Sequence, residues 1–143
     1  MTVPDDIRTQ VRQRAKGRCE YCQIPEQFTL SVHQVDHIIT RKHCGSSELG
    51  NLAWSCMICN LRKGSDIASI DPETDRLTPL FNPRLQEWRS HFRFDNAEIV
   101  PVSNVARVTV NLLGINDPDR LSERELLLRA GVYDEYLTRP RPR

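Results

Sequence analysis

Cys19-Glu20-Tyr21-Cys22, then Val35-Asp36-His37-Ile38-Ile39, then Cys56-Met57-Ile58-Cys59-Asn60: these strings, in this order, decide how the chain is read. A thiolate pair two residues apart grips one side of a tetrahedral ion, and a second such pair closes the tetrahedron. Four soft sulfurs leave no open position, so the spacing predicts a structural zinc held by Cys19, Cys22, Cys56 and Cys59. A redox dithiol is the competing reading. It requires at least one labile pair, whereas a saturated zinc site keeps its thiols inert until the metal is stripped. Cys44, the odd cysteine, is read as a neutral residue of the intervening loop, because four sulfurs already saturate zinc.

The 143 residues suit one domain, or one domain with an appended segment. Net charge is only +1, from 20 Lys+Arg against 19 Asp+Glu, so charge alone does not announce a nucleic-acid binder. Four zinc-bound thiolates carry two more negative charges than the ion cancels, so the surroundings must supply positive potential. No apolar run approaches the roughly 18–20 residues that cross a bilayer, which excludes a membrane-spanning helix. The start, Met1 to Asp6, has neither the basic nor the apolar region of a signal peptide. The expected compartment is a reducing cytoplasm, where paired C-x-x-C elements bind metal.

Around the three strings the pattern predicts an α+β protein. A helix is expected from Thr2 to Lys16, capped by Thr2, with Ile7, Val11 and Ala15 as its apolar stripe and a basic flank. Phe28 to Ile39 has strand character, Leu52-Ala53-Trp54 is a short extended piece, and Ser55 is placed to cap a helix from Cys56 to Lys63 stopped by Gly64. Two strands followed by a helix make a ββα unit. Beyond it, Ile67–Ile70 and Leu77–Phe81 read as a hairpin, Pro83 to Phe92 as a short helix with Leu85, Trp88 and Phe92 inward, and Glu98 to Val102 as a strand. Ser103 to Leu113 reads as a helix. Ser122-Glu123-Arg124-Glu125 has capping-box form and opens a last helix to Ala130. The end, Thr138 to Arg143, reads as a disordered basic tail.

The ββα unit carries groups suited to phosphodiester hydrolysis, which needs a base for water, a cation for developing charge, and groups that hold the strand. Asp36 supplies a hard oxygen for a divalent ion. The ordinary pKa of His37 suits a base near neutrality. Asn60 offers an amide oxygen at the start of a helix. Lys63, three residues on, shares its face and can reach a phosphate. Arg41, Lys42 and Arg62 are further candidates for tracking a nucleic-acid backbone. His33 and His91 are read as packed or partly buried neighbours.

The ordered set Cys19…Cys22, Val35-Asp36-His37-Ile38, Asn51-Leu52, Cys56…Cys59-Asn60…Lys63-Gly64 resembles the HNH endonuclease family in its four-cysteine, ββα-metal (His-Me finger) form, over roughly residues 17–66. The resemblance implies that Asp36 ligates the catalytic metal and His37 is the general base. It also implies that Asn51 holds loop and strand so that the base is oriented, and that Asn60 is the second metal ligand, making an H-N-N variant. An amide oxygen is harder and weaker than imidazole, which favours Mg²⁺ or Mn²⁺ over Zn²⁺ or Ni²⁺. DNA is the implied substrate, cut to leave 5′-phosphate and 3′-hydroxyl ends. The expected organisation is a zinc-stapled nuclease module over residues 1–66, a small mostly helical extension packed on it over 67–137, and a basic tail over 138–143. The main rival function is a non-catalytic zinc module that binds nucleic acid; it has no need of Asp36, His37 and Asn60 together.

Overall fold

A computed structural model describes residues 3–139. Thr2, the expected cap, and the last four residues of the expected tail lie outside the described residues. Helix α1 covers Asp5–Arg14, with Pro4 preceding it and Asp5 and Asp6 at the positive end of its dipole. Its stripe of Ile7, Val11 and Ala15 meets Leu52 and Trp54 in a small core. Arg14 at the end of α1 donates to the carbonyls of Leu49 (3.0 Å) and Leu52 (2.6 Å), which fixes the helix across the next ribbon.

That ribbon pairs β1 (Gln34–His37) with β2 (Leu52–Ser55) in antiparallel register, Asp36 opposite Ala53 and His37 opposite Leu52. The strand expected from Phe28 is realised only over these four residues. The partner strand is four residues long, so Phe28 to Val32 have nothing to pair with: Phe28 closes a short 3-10 turn (Glu26–Phe28), and the loop after it leaves Leu30 and Val32 facing solvent. Helix α2 (Met57–Lys63) follows β2. Its cap is the thiol of Cys56, which accepts the Cys59 N–H, and not Ser55.

Beyond Gly64 come two hairpins and three helices. The pairs are β3 (Ala68–Ile70) with β4 (Leu77–Pro79), and β5 (Phe92–Asp95) with β6 (Glu98–Pro101). Then follow α3 (Asn104–Leu113), α4 (Pro118–Arg129) and α5 (Glu135–Thr138). No α-helix forms over Pro83–Phe92. Asn82 Oδ1 accepts the Arg84 N–H at 2.9 Å and turns the chain, leaving Leu85 exposed. Trp88 donates its indole N–H to the Tyr21 carbonyl (2.9 Å) and stacks on Phe92, which already belongs to β5. Helix α4 opens four residues before Ser122, because Pro118 at its first position is preset for helical φ and the Asp117 carbonyl takes the Arg120 and Leu121 N–H groups. Thr138, expected in the tail, closes α5.

One apolar cluster runs through both parts of the chain, from Cys19, Tyr21 and Ile38 to Phe81, Trp88, Ile99, Ala106 and Leu113. Arg84 pairs with Glu20 across the same seam. The class is therefore α+β, a ββα unit embedded in a shared core. Among the described residues no helix is long and apolar enough to cross a membrane.

The β3–β4 turn is tied to α3 by Asp71, whose side chain is fully buried. It accepts from Arg107 (2.8 and 2.6 Å), the Glu73 N–H and the Thr74 hydroxyl. The Arg107 guanidinium, opposed by burial, holds this carboxyl well below the usual carboxylate range. A depressed folded pKa stabilises the fold in full above the unfolded value, about 3.9, and loses that contribution as pH falls below it. Asp71→Asn is expected to flatten the acid limb of stability below about pH 4. Denaturant midpoints measured across pH 2–7 for both proteins check it, and parallel curves would exclude the role.

Candidate functional site: zinc cluster and the His37 strand

The sulfurs of Cys19, Cys22, Cys56 and Cys59 are buried and lie within 4.8 Å of one another. Cys22 and Cys56 Sγ are 3.7 Å apart, close to the ~3.8 Å edge of a tetrahedron built on Zn–S bonds of about 2.3 Å. Within each C-x-x-C pair the second N–H points at the first sulfur, at 3.5 Å for Cys22 and 3.4 Å for Cys59. The donor set fits one tetrahedral zinc with no position left for water. Cys44 is exposed and outside the cluster, at φ +67°.

The positive charge that such a cluster demands comes from α4. Arg120 is buried and donates to Cys59 Sγ (3.1 Å), Cys56 Sγ (3.8 Å) and the Leu113 carbonyl (2.8 Å). Burial alone would lower its pKa; the neighbouring thiolates of Cys22, Cys59 and Cys56 outweigh that and hold it cationic. Sequence reasoning missed Arg120. The only signal was the unmatched charge of four thiolates, which says that a cation is needed but not which of twenty.

His37 ends β1, partly exposed, with Nε2 2.9 Å from Ser47 Oγ. Burial, and then the positive field of Arg41, lower its pKa below the ordinary imidazole value; Asp36 partly opposes them. Ser47 sits in a loop that Asn51 closes. Asn51 Oδ1 accepts the Ile39 N–H (2.9 Å), and Nδ2 donates to the carbonyls of Ile39 (2.8 Å) and Ser46 (2.7 Å). The loop returns so tightly that a Cβ on Gly45 would stand 1.7 Å from the Ile39 carbonyl oxygen, so only glycine fits there. Asn51 therefore pins Ser46, and the adjoining Ser47 holds His37.

Strand alternation sends Asp36 to the other face of β1. It is buried among Tyr21 and Lys63: the Tyr21 hydroxyl donates to Oδ2 at 2.6 Å, and Lys63 Nζ lies 3.3 Å from both carboxylate oxygens. Burial raises the carboxyl pKa, and Lys63 and Tyr21 partly reverse that. Lys63, expected to reach a phosphate, is 1% exposed and turns inward, its remaining bonds capping the carbonyls of His37 (3.1 Å) and Ile38 (3.0 Å). Its aliphatic stem is covered by α2 packed on β1, so the ammonium is satisfied inside. Asn60 donates to Gln34 Oε1 (2.8 Å), on the same strand face as Asp36. Arg62 is engaged with Asp117 (2.7 Å), while Arg41 and Lys42 stand exposed on a short 3-10 turn after the strand. His33 is fully buried against the Ile24 carbonyl, and His91 bonds Ser103.

The expected residues thus have different partners: Asp36 with Tyr21 and Lys63, Asn60 with Gln34, His37 with Ser47. As donors, Asp36 and Asn60 suit a hard divalent ion. The carboxylate keeps lone pairs beyond its bonds to Tyr21 and Lys63, and the Asn60 oxygen is free of the Gln34 bond. The condition is that Lys63 already neutralises the carboxylate.

Residues 19–66, about a third of the chain, match the family model for HNH endonuclease, and the match encloses all four cysteines. This stretch is an HNH domain, a class tied to nuclease-type chemistry on nucleic acid. Comparison with curated proteins and with solved structures found no match.

Two substitutions separate the charges in this region. Arg120→Met is expected to cost about 1.5–3 kcal/mol, the range for a hydrogen bond to a charged group, and to speed zinc loss to a colorimetric chelator. Unchanged zinc release would exclude Arg120 as the counter-charge. Lys63→Met leaves Asp36 buried and unpaired, at about 3–5 kcal/mol by chemical denaturation. The double variant Asp36→Asn with Lys63→Met is expected to recover most of that loss; a double variant as unstable as the sum of its singles would show no coupling.

Proposed function

We propose that the protein is a metal-dependent endonuclease that hydrolyses DNA phosphodiester bonds, with His37 as general base. One observation supports this above the rest: within the HNH stretch, His37 is a partly exposed imidazole with one nitrogen anchored to Ser47 and a positive neighbour in Arg41. With Nε2–H donated to Ser47, the lone pair lies on Nδ1, and Nδ1 takes the proton of the attacking water. Burial and Arg41 keep the ring neutral, the form that accepts a proton. Arg41 and Lys42, exposed beside it, hold the substrate phosphates. Asp36 and Asn60 would hold Mg²⁺ or Mn²⁺, which would supply charge stabilisation for the departing 3′ oxygen. The zinc cluster takes no part in the chemistry; it sets where α2 begins and so where Asn60 stands.

The rival reading, a zinc-stapled module that binds nucleic acid without cutting it, gains support from the closed state of Asp36. Plasmid cleavage separates the two. With Mg²⁺ or Mn²⁺ the protein is expected to nick or cut, and EDTA to stop it within a time that leaves zinc content unchanged. His37→Ala is expected to lose about 10²–10⁴-fold in rate with fold and zinc intact. Full activity in that variant would refute the base assignment, and no cutting under any divalent ion would favour the binding module.

A further inference from the structure

The face of β1 that carries His37 also carries Val35, and both look toward α1 and the loop before the strand. A cavity of about 470 Å³ opens there, lined by Arg8, Ser31, Val32, Gln34, Val35 and His37. A second, of about 420 Å³, runs on along α1 past Arg12, Gln27, Thr29, Leu30 and Trp54. The two share Arg8, Ser31 and Val32, so they are lengths of one groove that ends at the His37 ring.

Its lining combines two chemistries. One is cationic. Arg8 is exposed, sits over the Trp54 ring at 5.8 Å, and forms no ion pair among the described residues. Among the described residues the groove has one carboxylate, Glu26, and Arg12 neutralises it. The loop before β1 adds exposed apolar side chains among polar ones: Leu30 is fully exposed and Val32 is 67% exposed, beside Thr29 and Ser31. Isolated exposed apolar side chains mean little. Here two of them line the same channel as an unpaired cation, and that channel leads to an imidazole.

We propose that this groove is the track of an unpaired nucleic-acid strand leading to His37, with Arg8 as a phosphate contact and Leu30 and Val32 as the surface for its base faces. The proposal deepens the nuclease reading and rests on it for the chemistry at His37. A backbone carries one negative charge per residue and an unpaired base offers an apolar face, and a groove lined by a free guanidinium and exposed apolar side chains answers both. A duplex hides its base faces and leaves those apolar side chains without a use.

The test is fluorescence anisotropy of a labelled single-stranded DNA oligonucleotide with zinc-loaded His37→Ala protein, which binds without cutting. Adding Arg8→Glu is expected to weaken binding about tenfold and to lower the slope of log affinity against log salt by about 0.7, the value for one single-strand phosphate contact. Arg93→Glu, exposed on β5 and outside both cavities, is expected to bind like the parent. An Arg8→Glu variant that binds like the parent would overturn the groove. So would a parent that binds no single strand, or a duplex bound equally well with the same dependence on Arg8. Plasmid cleavage by the His37-containing protein is read separately. Cutting with Arg8-independent binding leaves the nuclease reading standing without the groove, and Arg8-dependent binding without cutting does the reverse.

Discussion

Four thiolates drawn to one point set the terms for everything around them. The pairs Cys19/Cys22 and Cys56/Cys59 come from either side of the β1–β2 ribbon and converge within 4.8 Å, so the entry to the ribbon and the start of α2 are fixed together. A zinc held there would stabilise so small a unit directly, because its ligands are not preassembled in the unfolded chain. The fixed start of α2 then places Asn60 against Gln34 and buries Lys63 against Asp36. The cluster's cost is electrostatic, and Arg120 of α4 offsets it from outside the HNH stretch.

Much of this was legible before any coordinates. The convergence of the four cysteines, the ribbon and α2 followed from spacing and periodicity, because two C-x-x-C pairs and a two-residue repeat leave few alternatives. What was not legible depended on partners distant in sequence. Phe28 to Val32 has strand composition but faces no strand. Pro83 to Phe92 has helical spacing, yet Trp88 is taken by the Tyr21 carbonyl and Phe92 by β5. Lys63 has the position of a phosphate ligand on a helix face, and its inward turn depends on a carboxylate 27 residues away. Ser122 has the form of a cap, but Pro118 starts the helix earlier.

Asp36 and His37 adjoin in sequence and yet serve different neighbourhoods. Alternation along β1 gives one to the α2 side and the other to the α1 side. On the first, a buried carboxylate joins Tyr21 of the zinc knuckle to Lys63 of α2. On the second, an imidazole steadied by the Asn51–Ser46–Ser47 loop opens to a groove. A single peptide bond joins them, so any shift that loosens Asp36 also re-aims His37.

The arginine that answers the sulfur cluster also bears on how portable the unit is. A recognisable domain of 48 residues, 19 through 66, looks like a cassette that evolution or an engineer could graft elsewhere. Cut at that boundary, it would leave behind its only described guanidinium donor to sulfur and the apolar neighbours of Tyr21. A transplanted copy would need a host that offers a cation at the same spot, and in this chain the second half is that host.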